Sequence, residues 1–306
     1  MSIKQLLSCL IACISLSGVF ISDESLANES LLEIAQQAFI EEQLETAQKY
    51  IEKALQQQPQ QPDALFLAGR IAAKQAQQAN IFSKLSYARD AKNYFEQALA
   101  VAPQHKDTIV GLIRFHQEAP VLAGGEKESI PDLVAQLRQI DEKAAFSFEV
   151  QKMLQEKPLE WVHQRYLKAL KSSSSEEDET FKYDYAMWLS SYGHHSKALD
   201  VLMSIDKTNQ AATQSFSAIL YYQLAKQAAE SKRQLALGIT CIEQYAQLPA
   251  EQRTISDDWI RFRLTQLHYL SQHPDTSLQD FERLKDEAED ASLKRKINQF
   301  LAMLET

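Results

Sequence analysis

Two segments of the chain, Ala47–Pro59 and Ala91–Pro103, share one layout: a small residue, a bulky apolar residue four positions on, a second small residue three further, and a proline five beyond that. Steps of four and three place the first three side chains on one face of a helix. Proline has no amide hydrogen and clashes with the preceding turn, so it closes that helix. A packing face built from two alanines around one large side chain fits only against a neighbour that lies very close. A chain that repeats such a unit must fold as stacked helices, because no single copy can bury its own face.

Composition points the same way. The 306 residues hold only 7 Gly and 8 Pro, where average usage gives roughly 21 Gly. Glycine supplies the positive φ of tight hairpin turns and lets backbone approach phosphate. A protein of many β-hairpins, or one built on Gly-rich nucleotide loops, is therefore disfavoured. The net charge of −9 argues against a general nucleic-acid surface or an anionic-membrane surface.

Further copies of the layout extend along the chain. Leu31, Ile34 and Ala35 precede the first copy, and Leu65, Ala68 and Gly69 precede the second. A later one comprises Tyr185, Ala186, Leu189, Gly193, Ala198, Leu202 and Ile205. This arrangement resembles the tetratricopeptide repeat (TPR), a 34-residue helix–turn–helix unit. The resemblance implies an all-α, TPR-like α-solenoid of about six to seven helix-turn-helix repeats with a C-terminal capping helix. Landmarks of the second helix of each repeat fall at 47, 91, 130, 162, 198, 238 and 277. Most of these spacings exceed 34, so helices are lengthened or loops inserted. Ala73–Ser86 is expected to lengthen both helices of the second repeat. Glu118–Ser129 (EAPVLAGGEKES) interrupts the third with Pro120, Gly124 and Gly125. A similar A-P-x₃-G-G loop occurs in some exported bacterial TPR proteins of uncharacterised function. Leu293, Ile297, Phe300, Leu301 and Leu304 share one face of the last segment, as a capping helix requires. Ser172–Glu179 has no apolar residue, so 172–180 is a soft boundary inside one repeat domain spanning 28–306.

The N-terminus has the three-part form of a secretory signal peptide: a basic start at Met1–Lys4, an uncharged run Leu6–Ile21, and small residues at Ser25 and Ala27. Residues 1–27 are expected to be removed and the remainder to be periplasmic. Two alternatives stand beside this: an uncleaved anchor, and a lipoprotein held through Cys13 in the lipobox-like Leu10-Ile11-Ala12-Cys13. Cleavage after Ala27 would leave Cys241 as the lone thiol, expected to be a small buried apolar residue.

Nothing in the sequence marks catalysis, and no enzyme activity, metal or cofactor is expected. The seven histidines never form H-E-x-x-H, and His194-His195 fall on a turn. Gly124-Gly125 lack the Gly-Lys-Ser/Thr of a phosphate loop. The acidic run Asp286–Asp290 lacks the spacing of a calcium loop.

TPR arrays hold extended peptides or helices in a groove lined by the first helix of each repeat. By this resemblance, the groove residues are Phe66, Arg70, Lys74, Tyr183, Met187, Tyr222, Lys226, Phe262, Gln266 and Tyr269, with Pro120, Gly124 and Gly125 as a separate loop site. The aromatic members either contact a partner or pack between helices; the sequence leaves both open. The Lys/Asn pattern of chaperone-tail carboxylate clamps is not matched, since Leu32 and Gln36 occupy the first pair of positions. The expected function is a protein–protein interaction scaffold or adaptor of the cell envelope, whose partner is another envelope protein or peptide. Nucleic acid is not expected, and membrane contact runs only through an uncleaved or lipidated N-terminus. A small-ligand or glycan-binding solenoid, with the aromatics as stacking platforms, is the alternative. An enzyme site near the 118–129 loop is a third reading.

Overall fold

The computed structural model describes residues 23–171, 178–205, 214–273 and 275–304. Every regular element among them is helical. The chain divides into two compact units, Met1–Asp141 and Glu142–Thr306. This division lies upstream of the polar 172–180 stretch, of which 172–177 fall outside the described residues. Most of the signal segment, 1–22, also falls outside them, and the backbone is helical from Asp23, through the proposed cut after Ala27.

The first unit holds three helical hairpins: α1 (Asp23–Ile40) with α2 (Leu44–Gln57), α3 (Pro62–Gln78) with α4 (Ile81–Val101), and α5 (Lys106–Glu118) with α6 (Ile130–Ile140). Two short 3-10 turns, Val121–Ala123 and Lys127–Ser129, lie between α5 and α6. First helices pack on first helices, α1 on α3 and α3 on α5. The second unit holds α7 (Glu142–Glu156) with α8 (Leu159–Lys171), α9 (Asp178–Ser191) with α10 (His195–Met203), α11 (Gln214–Ser231) with α12 (Leu235–Ala246), and α13 (Asp257–Leu270) with α14 (Leu278–Glu287), followed by α15 (Ala291–Leu304). Here α7 packs on α9, α11 on α13, and α13 on α15. Each unit is thus a TPR-like stack of hairpins, as the repeat pattern requires.

The small residues sit where helices cross. Ala47, Ile51 and Ala54 have no exposed surface, nor do Ala91 and Ala98. A Cβ on Gly69 would lie 2.6 Å from the Phe95 ring, and one on Gly238 would lie 2.8 Å from both Ala228 and Leu267. Only glycine lets these helices approach so closely. Gly193, at φ +78, makes the turn between α9 and α10. In the second hairpin the long insertion does extend both helices. They are separated by a tight turn in which the Asn80 side chain caps α4, accepting from the amides of Phe82 and Ser83 at 3.1 and 3.2 Å.

The seventh landmark departs from the pattern. Ser277 does not lie inside the second helix but is the N-cap of α14, where Asp280 accepts its backbone N–H at 2.8 Å. Phe281 and Leu284 still reach the core. The capping helix α15 buries Leu293, Ile297 and Phe300 against Phe262 and Phe281. A stacked aromatic core ties the fourth and fifth hairpins: Phe146, Tyr166, Phe181 and Tyr185, with the two tyrosine rings 4.1 Å apart. Burial pushes both phenols well above the usual tyrosine range.

Candidate interaction surface

On the first unit two of the expected groove residues, Phe66 and Arg70, are in contact. Arg70 is exposed, and its guanidinium lies over Phe39 at 4.6 Å and Phe66 at 5.7 Å. Phe66 is half-buried and backed by Phe95 and His105. Lys74 pairs with Glu42 at 2.9 Å across the first two hairpins. Arginine over aromatic faces keeps its fork of N–H donors available at its edge.

On the second unit the expectation divides. Tyr183, Met187, Lys226 and Tyr269 are half-buried and reach the surface. Phe262 has no exposed surface, Gln266 is 2% exposed and Tyr222 6%. These three are packing residues rather than groove contacts, and the cause is the neighbouring elements. Phe262 is enclosed by Trp259, Phe281 and Phe300, the last two from α14 and α15. Gln266 accepts from Arg263, and the Tyr222 ring packs against Tyr245.

The 118–129 loop is built from both sides. Gly125 donates to the Pro120 carbonyl at 3.1 Å, and a Cβ there would sit 2.0 Å from the Ala119 oxygen, so the loop closes only with glycine. Gly124 adopts φ +93, the left-handed region that costs other residues energy. Arg89 of α4 donates to the Leu122 carbonyl at 3.2 Å. Lys92, also of α4, pairs with Glu126 at 2.5 Å, and this contact holds the Glu126 carboxyl below its ordinary range. His116 of α5 is buried, and its Nδ1 accepts the Glu126 backbone N–H at 3.0 Å, which puts the ring proton on Nε2. Burial lowers the His116 pKa and favours this neutral form. Ala123 packs inward with Ala76 and Ala88. Val121 and Leu122, by contrast, are 84% and 75% exposed. The sequence marked this loop by its glycines but held no sign of the side chains that fix it: Arg89 and Lys92 come from about one repeat upstream, and His116 from the helix just before it.

Two further polar features were not visible in the sequence. Gln227, fully buried, joins two hairpins by binding His195 Nδ1 and Ser190 Oγ, each at 2.9 Å. His195 is therefore more than a solvated turn residue. Glu230 accepts from both Arg263 and Lys296. Cys241 is buried, as expected. Among the described residues, no three His, Cys, Asp or Glu side chains converge as a metal site, and no helix is long and apolar enough to cross a membrane.

No family model and no curated protein matches the chain. Among solved structures it is similar to a tetratricopeptide repeat protein from Parabacteroides merdae, with 13% identity, 89% of this chain and 97% of that chain covered, and a TM-score of 0.46. It is similar to PilF of Pseudomonas aeruginosa, with 12% identity, 92% and 100% covered, and a TM-score of 0.46. A third is PilW, described as a widely conserved type IV pilus biogenesis factor, with 13% identity, 75% and 98% covered, and a TM-score of 0.46. The repeat assignment rests on the hairpins and their small-residue crossings.

Proposed function

We propose that this chain is a protein–protein interaction scaffold of the cell envelope, exported by its N-terminal segment and gripping a partner polypeptide. The observation that carries the reading is the 118–129 loop. Four residues from two helices and the loop itself (Arg89, Lys92, His116 and Gly125) fix its backbone, yet its two largest apolar side chains, Val121 and Leu122, face solvent. A loop held this firmly has no folding reason to display apolar surface. Rigid display lowers the ordering cost of association, as in other preorganised binding surfaces. Exposed Arg70 over its two rings supplies a second anchor of the type enriched at interfaces.

The test is site-specific crosslinking in the living cell, from positions 70 and 122 in the native chain and from position 70 in a Val121→Ser/Leu122→Ser variant. The expected result is one envelope protein captured from both positions in the native chain and lost from position 70 in the variant. Equal capture by both chains would overturn the role of the loop. Mass measurement of the mature N-terminus tests export: a start at Asn28 supports it, and an intact Met1 refutes cleavage.

A further inference from the structure

Around α11 of the second unit, cations outnumber the carboxylates that face them. Glu230 of α11 is the carboxylate that faces Lys226, Arg263 and Lys296 among the described residues. One of its oxygens already accepts from Arg263 at 3.1 Å and from Lys296 at 3.0 Å. Arg263 is 1% exposed, and its Nε is buried with no hydrogen-bond partner. Lys226 lies one helical turn before Glu230, half-buried, and makes no hydrogen bond or ion pair among the described residues. Burial, with Arg263 and Lys296 nearby, pulls its pKa down.

Three cations therefore share one carboxylate in a place partly withdrawn from water. The Arg263–Glu230–Lys296 contacts have an evident structural role, since they join α11, α13 and α15. Lys226 has none. A partly buried charge that shares its one counter-charge with two other cations costs stability, and a second anion would relieve that cost. The location adds to the argument. Lys226 occupies the same register on α11 as half-buried Met187 does on α9, the face the repeat pattern assigns to a partner. The chain as a whole is strongly negative at −9, so an acidic segment would be repelled elsewhere and drawn to this cluster.

We propose that Lys226, together with Arg263 and Lys296, forms a binding site for a carboxylate side chain of an acidic partner segment. The polypeptide nature of that partner rests on the scaffold function proposed above; the site itself does not. Glu230 keeps Arg263 and Lys296 in place, and the incoming carboxylate meets Lys226 and shares the remaining positive charge.

The experiment uses the chain from residue 28 onward and a fluorescein-labelled hexaglutamate peptide with an amidated C-terminus, followed by anisotropy at low salt. Hexalysine and inorganic phosphate are the comparison probes. The expected result is saturable binding of hexaglutamate, weakened by added salt, at least ten-fold weaker in Lys226→Gln and retained in Lys226→Arg. The melting temperature of Lys226→Gln should equal or exceed that of the native chain, because Lys226 carries no structural contact. Unchanged hexaglutamate binding in Lys226→Gln would overturn the proposal. So would displacement by phosphate at equal charge concentration, which would make this a site for small anions. If Lys226-dependent peptide binding appears while position 122 captures no protein in the cell, the scaffold reading fails and the anion site stands.

Discussion

Replacing Gly69 by alanine sets two effects of known size against each other. Gly69 lies inside α3, where alanine is favoured over glycine by about 0.8–1.0 kcal/mol of helix propensity. The new Cβ would stand 2.6 Å from Cδ1 and Cε1 of Phe95, whereas carbon atoms pack at about 3.5–4.0 Å. The ring would have to withdraw by about 1 Å to reach that spacing. It has little room, being 3% exposed, and the Gly111 backbone also lies close to it, an ideal Cβ there being 3.3 Å from Phe95 Cε1. Overpacking of this kind costs about 1–3 kcal/mol. Taking about 2 for the clash and about 0.9 for propensity, Gly69→Ala should destabilise the first unit by about 1 kcal/mol. In a Phe95→Leu background the clash disappears and the same change should stabilise by up to about 1 kcal/mol. The sign reversal, a coupling of about 2 kcal/mol, is the diagnostic quantity. Urea unfolding by far-ultraviolet circular dichroism measures it. Hydrogen exchange on α3 and α4 should accompany it, because stacked repeats need not unfold in one step. A stabilising Gly69→Ala in the native background, or an equal effect in both backgrounds, would refute the close-crossing argument.

Other outcomes follow from the loop and the termini of the helices. Gly125→Ala should break the Gly125–Pro120 closure and expose 119–129 to limited proteolysis, and an unchanged cleavage pattern would count against the loop's dependence on glycine. His116 has a folded pKa below its ordinary value, so as pH falls through about 6.5 the unfolded chain takes up a proton that the folded chain resists. Stability should therefore fall on acidification from about pH 7.5 to about 5.5, with His163 and His268 contributing in the same direction. The fall should be smaller in His116→Gln, and an equal fall in both chains would show that His116 is not a contributor. Asp290 accepts from Ser292 and from Trp259 Nε1 at 2.8 Å, contacts that bring its pKa down to about 2. Asp290→Ala should speed amide exchange over the first turn of α15, and unaltered exchange there would refute a capping role.

The repeat layout was legible because its determinants are local. Alanine, a bulky residue and alanine at steps of four and three mark Ala47, Ile51 and Ala54 directly, and the pairing of Gly69 with Phe95 follows once two helices are assumed to cross. The identity of the surface residues was not legible in the same way. Phe66 and Phe262 occupy the same register, yet one is half-exposed and the other fully buried. The difference lies in α15, which brings Phe300 onto Phe262, and no feature near position 262 announces it. The charge clusters share this character. Arg263 and Glu230 are 33 positions apart and Lys92 and Glu126 are 34 apart, so each pair is assembled only when successive hairpins stack. Ser277 had a readable signal, since serine three residues before an acidic residue is the mark of a helix start.

The attachment of the 118–129 loop also has a mechanical consequence. It is fastened to α4, the second helix of one hairpin, and to α5, the first helix of the next. Tension applied at Leu122 has no slack to take up: it passes through Arg89 and Lys92 into α4, the helix that carries Phe95, and through His116 into α5. The loop is thus a handle on the joint between the second and third hairpins rather than a tether. A partner that pulls on it loads the Gly69–Phe95–Gly111 contact directly, so grip and hairpin spacing become one coupled variable.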